Sequence, residues 1–187
     1  MPIQIILFIS GGGSNARQII SYFQDNEAIK VVGVLSSKSN HDMADFCAAH
    51  HVSFFDMSTK DFGQYLSISQ QLNVDWVILA GFLKKVPAAF ISSYANRIIN
   101  IHPSLLPKHG GAGMYGKHVH QAVALAKEPY SGISIHLVNE EFDQGKILFQ
   151  HAIRLPLNAN ADEIESLIRE LEKTHFAPDI AAHLIGT

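Results

Sequence analysis

Arg97-Ile98-Ile99-Asn100-Ile101-His102-Pro103-Ser104-Leu105-Leu106-Pro107 is an apolar, strand-like run that ends in groups able to do chemistry. Side chains alternate faces along a strand, so Ile99 and Ile101 are expected to enter a core while Asn100 and His102 share the opposite face. Pro103 lacks a backbone N–H and stops the ladder. An amide and an imidazole side by side at the carboxyl end of a buried strand sit where open α/β sheets bind their ligands. The plainer alternative is a pair of strand-end polar groups hydrogen-bonded to a neighbouring loop.

Upstream of that run, short apolar segments alternate with segments of helical spacing. Ile3 to Ile9 is a buried strand closed by Ser10-Gly11-Gly12-Gly13-Ser14-Asn15, and Ala16 to Phe23 has helical period. Val31 to Ser36 reads as a second strand, Met43 to His50 as a helix and Val52 to Phe55 as a third strand. Ser58 or Thr59 is expected to cap a helix running toward Leu72. Val74 to Ala80 is the next strand, and Pro87 to Tyr94 a short helix with proline in its first turn. Downstream, Pro103 to Gly116 is a long Gly- and Pro-containing loop, of a length usually reserved for function or disorder. His118 to Lys127 is helical, Gly132 to Val138 and Lys146 to Leu155 are strands joined through Asn139 to Gly145, and an amphipathic helix begins at Asp162. This order predicts an α/β fold: one Rossmann-like domain over residues 1–187, with a mostly parallel central sheet of about seven strands. Helices are expected on both faces, with an antiparallel pair near the C-terminus.

The totals agree with that reading. A chain of 187 residues buries roughly two thirds of its unfolded surface without needing disulfides or metals. Net charge −3 and 17% charged residues give no field suited to nucleic acid. The single cysteine, Cys47, excludes an internal disulfide framework and reads as a small apolar residue on a helix face. The N-terminus has no signal-peptide pattern, and no apolar run reaches the ~20 residues of a membrane span, so cytoplasmic residence is the expectation.

Three further segments carry candidate chemistry. The glycine loop lies between strand and helix, where free N–H groups and the positive end of the helix dipole favour a phosphate. It is neither GxGxxG nor a Walker sequence, which points to a phosphate monoester at Gly12, Gly13, Ser14 and Asn15 rather than a dinucleotide. A tight turn requiring positive φ is the competing explanation. Asn139 to Gly145 contains Glu140, Glu141 and Asp143, and its flanking strands are expected beside the Asn100 strand. One of these acids then faces His102 and raises its pKa, Asp143 being the best placed of the three. Metal spacing is poor despite 11 histidines, because His118 and His120 are two apart and no cysteine cluster supports them, so no metal is expected.

Taken together, these motifs resemble the folate-dependent formyltransferase family. The resemblance covers nearly the whole chain and is most specific at Asn100-Ile101-His102-Pro103-Ser104-Leu105-Leu106-Pro107 and at Phe142-Asp143-Gln144-Gly145. Ile9 to Asn15 is similar to the family's phosphate loop, and Leu79-Ala80-Gly81-Phe82 to the segment entering its folate pocket. The resemblance implies formyl transfer from 10-formyltetrahydrofolate, as cosubstrate, to the amine of glycinamide ribonucleotide in purine biosynthesis. It also implies Asn100, His102 and Asp143 as the catalytic group, with Asn100 and protonated His102 stabilising an oxyanion and Asp143 moving the proton through a water. By the same resemblance Glu172 contacts the ribose, and Phe82, Leu83, Lys84, Lys85, Val86, Asn100, Glu140 and Asp143 meet the folate. His118 is a further substrate contact. Departures are Lys85, where the family is commonly apolar, the long segment 108–116, and Lys173-Thr174-His175-Phe176-Ala177 after Glu172.

Competing readings are a formyltransferase for another amine, a formyltetrahydrofolate hydrolase, and a noncatalytic folate- or nucleotide-binding module. The tRNA and sugar enzymes of the family generally carry an added domain for which this length leaves no room, and a decayed module is expected to have lost one of the three catalytic residues. The expected partners are small molecules, with no nucleic acid and no membrane, in a monomer or homodimer.

Overall fold

Strand β1 (Ile3–Ile9) divides the core. Ile5, Leu7 and Ile9 enter one apolar cluster and Ile6 and Phe8 the other, all fully buried, as period-two alternation requires of a central strand. The computed structural model describes residues 1–186. In chain order the elements are β1, α1 (Ser14–Phe23), β2 (Ile29–Ser36), α2 (His41–Ala49), β3 (Ser53–Asp56), α3 (Phe62–Gln71), β4 (Trp76–Leu79), α4 (Ala88–Ser93), β5 (Ile98–His102), α5 (Lys117–Leu125), β6 (Tyr130–Leu137), β7 (Ile147–Arg154) and α6 (Ala161–Ile185).

The seven strands form one sheet in the order β3-β2-β1-β4-β5-β6-β7. Pairings from β3 through β5 are parallel, and β6 is antiparallel to both β5 and β7. One cluster joins the sheet to α1, α2, α5 and α6, and the other to α3 and α4. The result is the expected α/β domain with helices on both faces. Of the two strands flanking the acidic loop only β6 neighbours β5, however; β7 forms the sheet edge, so the loop reaches the Asn100 strand through one flanking strand and not both.

Local signals explain most boundaries. Asn160 caps α6 by accepting from the N–H groups of Asp162 and Glu163, while the Glu163 carboxylate accepts from the Asn160 N–H. α3 is capped by Asp61, whose carboxylate accepts from the Gln64 N–H at 3.1 Å, and not by Ser58 or Thr59. Those two residues lie in a turn in which Asp56 accepts from the Ser58 N–H, so the chain is not yet aligned with the helix there. Cys47 is fully buried on α2, and burial pushes its thiol up to about 11, which leaves it inert at neutral pH. Among the described residues no helix is long and apolar enough to cross a membrane.

Sheet order places the functional segments. The order reverses at β1 and β4, where the glycine loop leaves β1 in one direction and the Gly81 segment leaves β4 beside it. The two loops are tied together: Ser10 N–H donates to the Gly81 carbonyl at 3.0 Å, and Leu83 N–H donates to Ser10 Oγ at 2.9 Å. Crevices at such reversals are the ligand sites of open parallel sheets.

Candidate active site

On β5, Ile99 and Ile101 enter the α6-side cluster, and Asn100 and His102 lie on the other face. The neighbouring antiparallel strand sets His136 opposite Asn100 and Ser134 opposite His102. The Asn100 amide donates to His136 Nε2 at 3.0 Å, because His136 Nδ1 is 2.9 Å from the Leu137 carbonyl and must carry that ring's proton. The β6–β7 loop returns Asp143 to the same spot, with Oδ2 3.5 Å from His102 Nδ1 and Oδ1 3.6 Å from His136 Nε2. Asp143 has φ of 57°, a left-handed backbone that aspartate tolerates better than most residues, and Gly111 N–H donates to its Oδ2 at 2.9 Å. Beyond Asp143 the loop passes so close to β6 that a Cβ on Gly145 would lie 1.6 Å from the Leu137 carbonyl oxygen.

Burial dominates the electrostatics. It pushes the His102 pKa below the ordinary imidazole value, and the opposing pull of Asp143 and of the His109 carbonyl does not reverse this. Burial therefore favours the neutral form of His102 at rest, so the imidazolium expected in the reaction has to form during it. Its Nε2, 2.8 Å from the His109 carbonyl, holds the proton, and the free Nδ1 faces Asp143. Burial would raise Asp143, but His136 and His102, when they carry a proton toward it, and the Gly111 N–H hold its carboxyl below the usual range.

A cavity of about 460 Å³ collects the sequence-derived candidates. Gly12, Gly13, Ser14 and Asn15 form one wall, Phe82 to Val86 another, and Asn100, His102, Glu140, Asp143 and Glu172 also line it. Gly13 has φ of 78°, and a Cβ there would meet Met43 Sδ at 2.8 Å, so this glycine serves the turn as well as the cavity wall. Asn15 Nδ2 donates to Glu172 Oε2 at 3.1 Å across 157 residues, and burial raises the Glu172 pKa. Lys85 Nζ lies 5.4 Å from the centre of the Phe142 ring, bridging two loops at the cavity wall.

His118 does not line this cavity. Residues two apart on a helix point to different sides, so His118 is exposed against the Tyr115 ring while His120 is buried and lines the cavity, its Nδ1 without a hydrogen-bond partner. Sequence reasoning also assigned no role to His136 or to Arg169, which lines the cavity one turn before Glu172. The alternation Ser134, His136 on β6 was the available signal for the first. Nothing local marks the second. Among the described residues no group of His, Cys, Asp or Glu is arranged to hold a metal ion.

The displaced pKa values set a pH dependence. His102, His120 and His183 are all lowered, chiefly by burial, so the native state excludes protons that the unfolded chain binds below about pH 6.5. Their stabilisation is complete above that pH and is lost as pH falls through the folded values. Glu172 is raised and acts in the opposite sense. The thermal midpoint is expected to rise between roughly pH 5 and 7.5, and Glu172→Gln should steepen that rise. A midpoint independent of pH in thermal scans would contradict this.

Comparison with known proteins places this geometry. The chain is 36% identical over 188 residues to a chloroplastic phosphoribosylglycinamide formyltransferase of Arabidopsis thaliana, spanning 96% of this chain and 64% of that protein, so it covers less than two thirds of that relative's length. It is 31% identical over 181 residues to the phosphoribosylglycinamide formyltransferase of Haemophilus influenzae, covering 90% of this chain and 81% of the relative. The crystal structure of the phosphoribosylglycinamide formyltransferase from Anaplasma phagocytophilum superposes with a TM-score of 0.87 at 25% identity, over 96% of this chain and 85% of that one. The family model described as formyl transferase matches residues 3–180, and with this sheet and these motifs the chain belongs to the formyl transferase family.

Proposed function

We propose that residues 1–187 form one formyltransferase domain that transfers the formyl group of 10-formyltetrahydrofolate to the amine of glycinamide ribonucleotide, a step of purine synthesis. The observation that carries this reading is the position of Asn100, His102 and Asp143 in one cavity between a glycine loop at a helix N-terminus and the segment Phe82 to Val86. The names of the Arabidopsis and Haemophilus relatives support the choice of amine.

The residues present suit both ligands. A phosphate fits the N–H groups of Gly12, Gly13, Ser14 and Asn15 at the start of α1, and Arg169, paired with Glu165, also lines the cavity as a cation. Glu172, held by Asn15, accepts from ribose hydroxyls. A flat pterin fits the side of the cavity formed by Phe82, Leu83, Val86 and Glu140, with Lys84 and Lys85 beside it. The folate supplies an activated formyl group.

This chain's own groups do the rest. Asn100 has a second amide N–H, not used on His136, to donate to negative charge developing on the formyl oxygen. His102 becomes a second donor only on taking a proton at Nδ1, the nitrogen that faces Asp143. Asp143, kept ionised by its lowered pKa, takes a proton from the attacking amine through a water and delivers it to the folate nitrogen as the formyl carbon–nitrogen bond breaks. The net charge of −3 favours small-molecule partners over nucleic acid, and the single free, buried cysteine suits a reducing cytoplasm. A monomer or homodimer completes the proposal.

The direct test is an assay with 10-formyltetrahydrofolate and glycinamide ribonucleotide, following formylated product by mass. Product that disappears in His102→Ala supports the reading. Formate released without formylated amine would make the protein a hydrolase, and retained binding without turnover would make it a noncatalytic module.

A further inference from the structure

Glu128, in the turn between α5 and β6, lies outside the substrate cavity yet is tied to its catalytic pair. Both of its carboxylate oxygens are 3.0 Å from Lys108 Nζ, and Oε1 is 3.3 Å from His109 Nε2. Lys108 and His109 form the turn after β5, where Ser104 Oγ also donates to the Lys108 carbonyl at 2.7 Å. His109 has φ of 54°, a left-handed backbone that a residue with a β-carbon keeps only when its surroundings hold it there. That conformation aims the His109 carbonyl at His102 Nε2, 2.8 Å away, and two residues later Gly111 N–H reaches Asp143 Oδ2 at 2.9 Å. The turn is packed directly on the acid: a Cβ on Gly110 would lie 2.4 Å from Leu106 Cδ2 and 3.3 Å from the Asp143 Cβ.

We propose that Glu128 is a positioning residue for the His102–Asp143 pair, clamping Lys108 and His109 so that the His109 carbonyl fixes His102 as its Nε2–H tautomer with Nδ1 turned to the carboxylate. A carbonyl only accepts hydrogen bonds, so while it is held in place Nε2 keeps its proton, and any proton entering the ring goes to Nδ1. The inference rests on the catalytic reading of His102 and Asp143 given above. The Lys108 side chain is two-thirds exposed, and an exposed ion pair contributes little to global stability. The clamp therefore acts on geometry, where a displacement of about 1 Å is enough to slow a reaction many-fold.

The test uses Glu128→Ala and Glu128→Gln in the full chain. Long-range proton–nitrogen NMR of the His102 ring should report a single Nε2–H tautomer in the parent protein and a mixture in Glu128→Ala. Turnover in Glu128→Ala should fall about tenfold with KM for both substrates nearly unchanged, and the melting midpoint should stay within about 2 °C of the parent. Glu128→Gln, which keeps one acceptor oxygen, should recover part of both signals. An unchanged His102 tautomer in Glu128→Ala would overturn the proposal. So would a loss of turnover matched by a fall in melting temperature, since that marks a purely structural role. The NMR measurement needs no turnover, so failure of the clamp and failure of the assigned reaction are told apart.

Discussion

Asp143→Asn is expected to fold normally and to lose about 10³-fold in turnover, within the 10²–10⁴ range that positioned acid–base groups supply. The folding half of this expectation follows from the backbone. Position 143 has φ of 57°, and asparagine adopts that left-handed conformation as readily as aspartate, whereas alanine would add strain. The amide oxygen also remains able to accept from Gly111 N–H. The kinetic half follows from charge. The carboxylate is what raises the proton affinity of His102 against its burial, and it is the base nearest Nδ1. Without it the imidazole is driven further toward its neutral form, and no anion is left to relay the proton. Because the variant removes the charge but keeps the shape of the side chain at the cavity wall, kcat should fall far more than KM for either substrate changes if Asp143 acts in the reaction as proposed. Steady-state kinetics with a thermal scan checks both halves. Turnover within about threefold of the parent, against the range above, would remove Asp143 from the chemistry.

What could be read from the residues alone tracks how local the cause is. The alternation of Ile99 and Ile101 against Asn100 and His102 is a property of one strand, and it survives intact in the fold. The glycine loop before α1 is equally local. Capping was less legible: Ser58, Thr59 and Asp61 all carry suitable oxygens, and the choice depends on where the chain leaving β3 turns toward the helix. His118 against His120 was decided by which side of α5 faces the sheet, a tertiary fact that a two-residue spacing cannot supply. His136 was visible on the polar face of its strand, but its meaning came from antiparallel register with Asn100. Arg169 enters through α6 packing across the cavity, from a distance in sequence that no pattern spans. The resting state of His102 was not legible for the same reason, since a sequence identifies the nearby carboxylate but not the extent of desolvation.

Asn100 offers the sharper discrimination between stabilising charge and holding structure. Asn100→Ala should reduce turnover by about 10²–10³-fold, the loss typical of a deleted oxyanion donor. The same residue, however, donates to His136 Nε2 at 3.0 Å, so a loss in the alanine variant alone leaves two explanations. Asn100→Asp separates them. If the amide serves the developing negative charge, a carboxylate in its place sets an anion against that charge and beside Asp143, and the aspartate variant must be slower than alanine. If the amide only anchors His136, a carboxylate can keep that anchor by drawing a proton onto His136, and the aspartate variant must be faster than alanine. His136 Nδ1 already holds its proton on the Leu137 carbonyl, so the added proton would sit on Nε2, where NMR can detect it. The order of the two rates, measured with both substrates saturating, assigns the role of Asn100 whatever their absolute values.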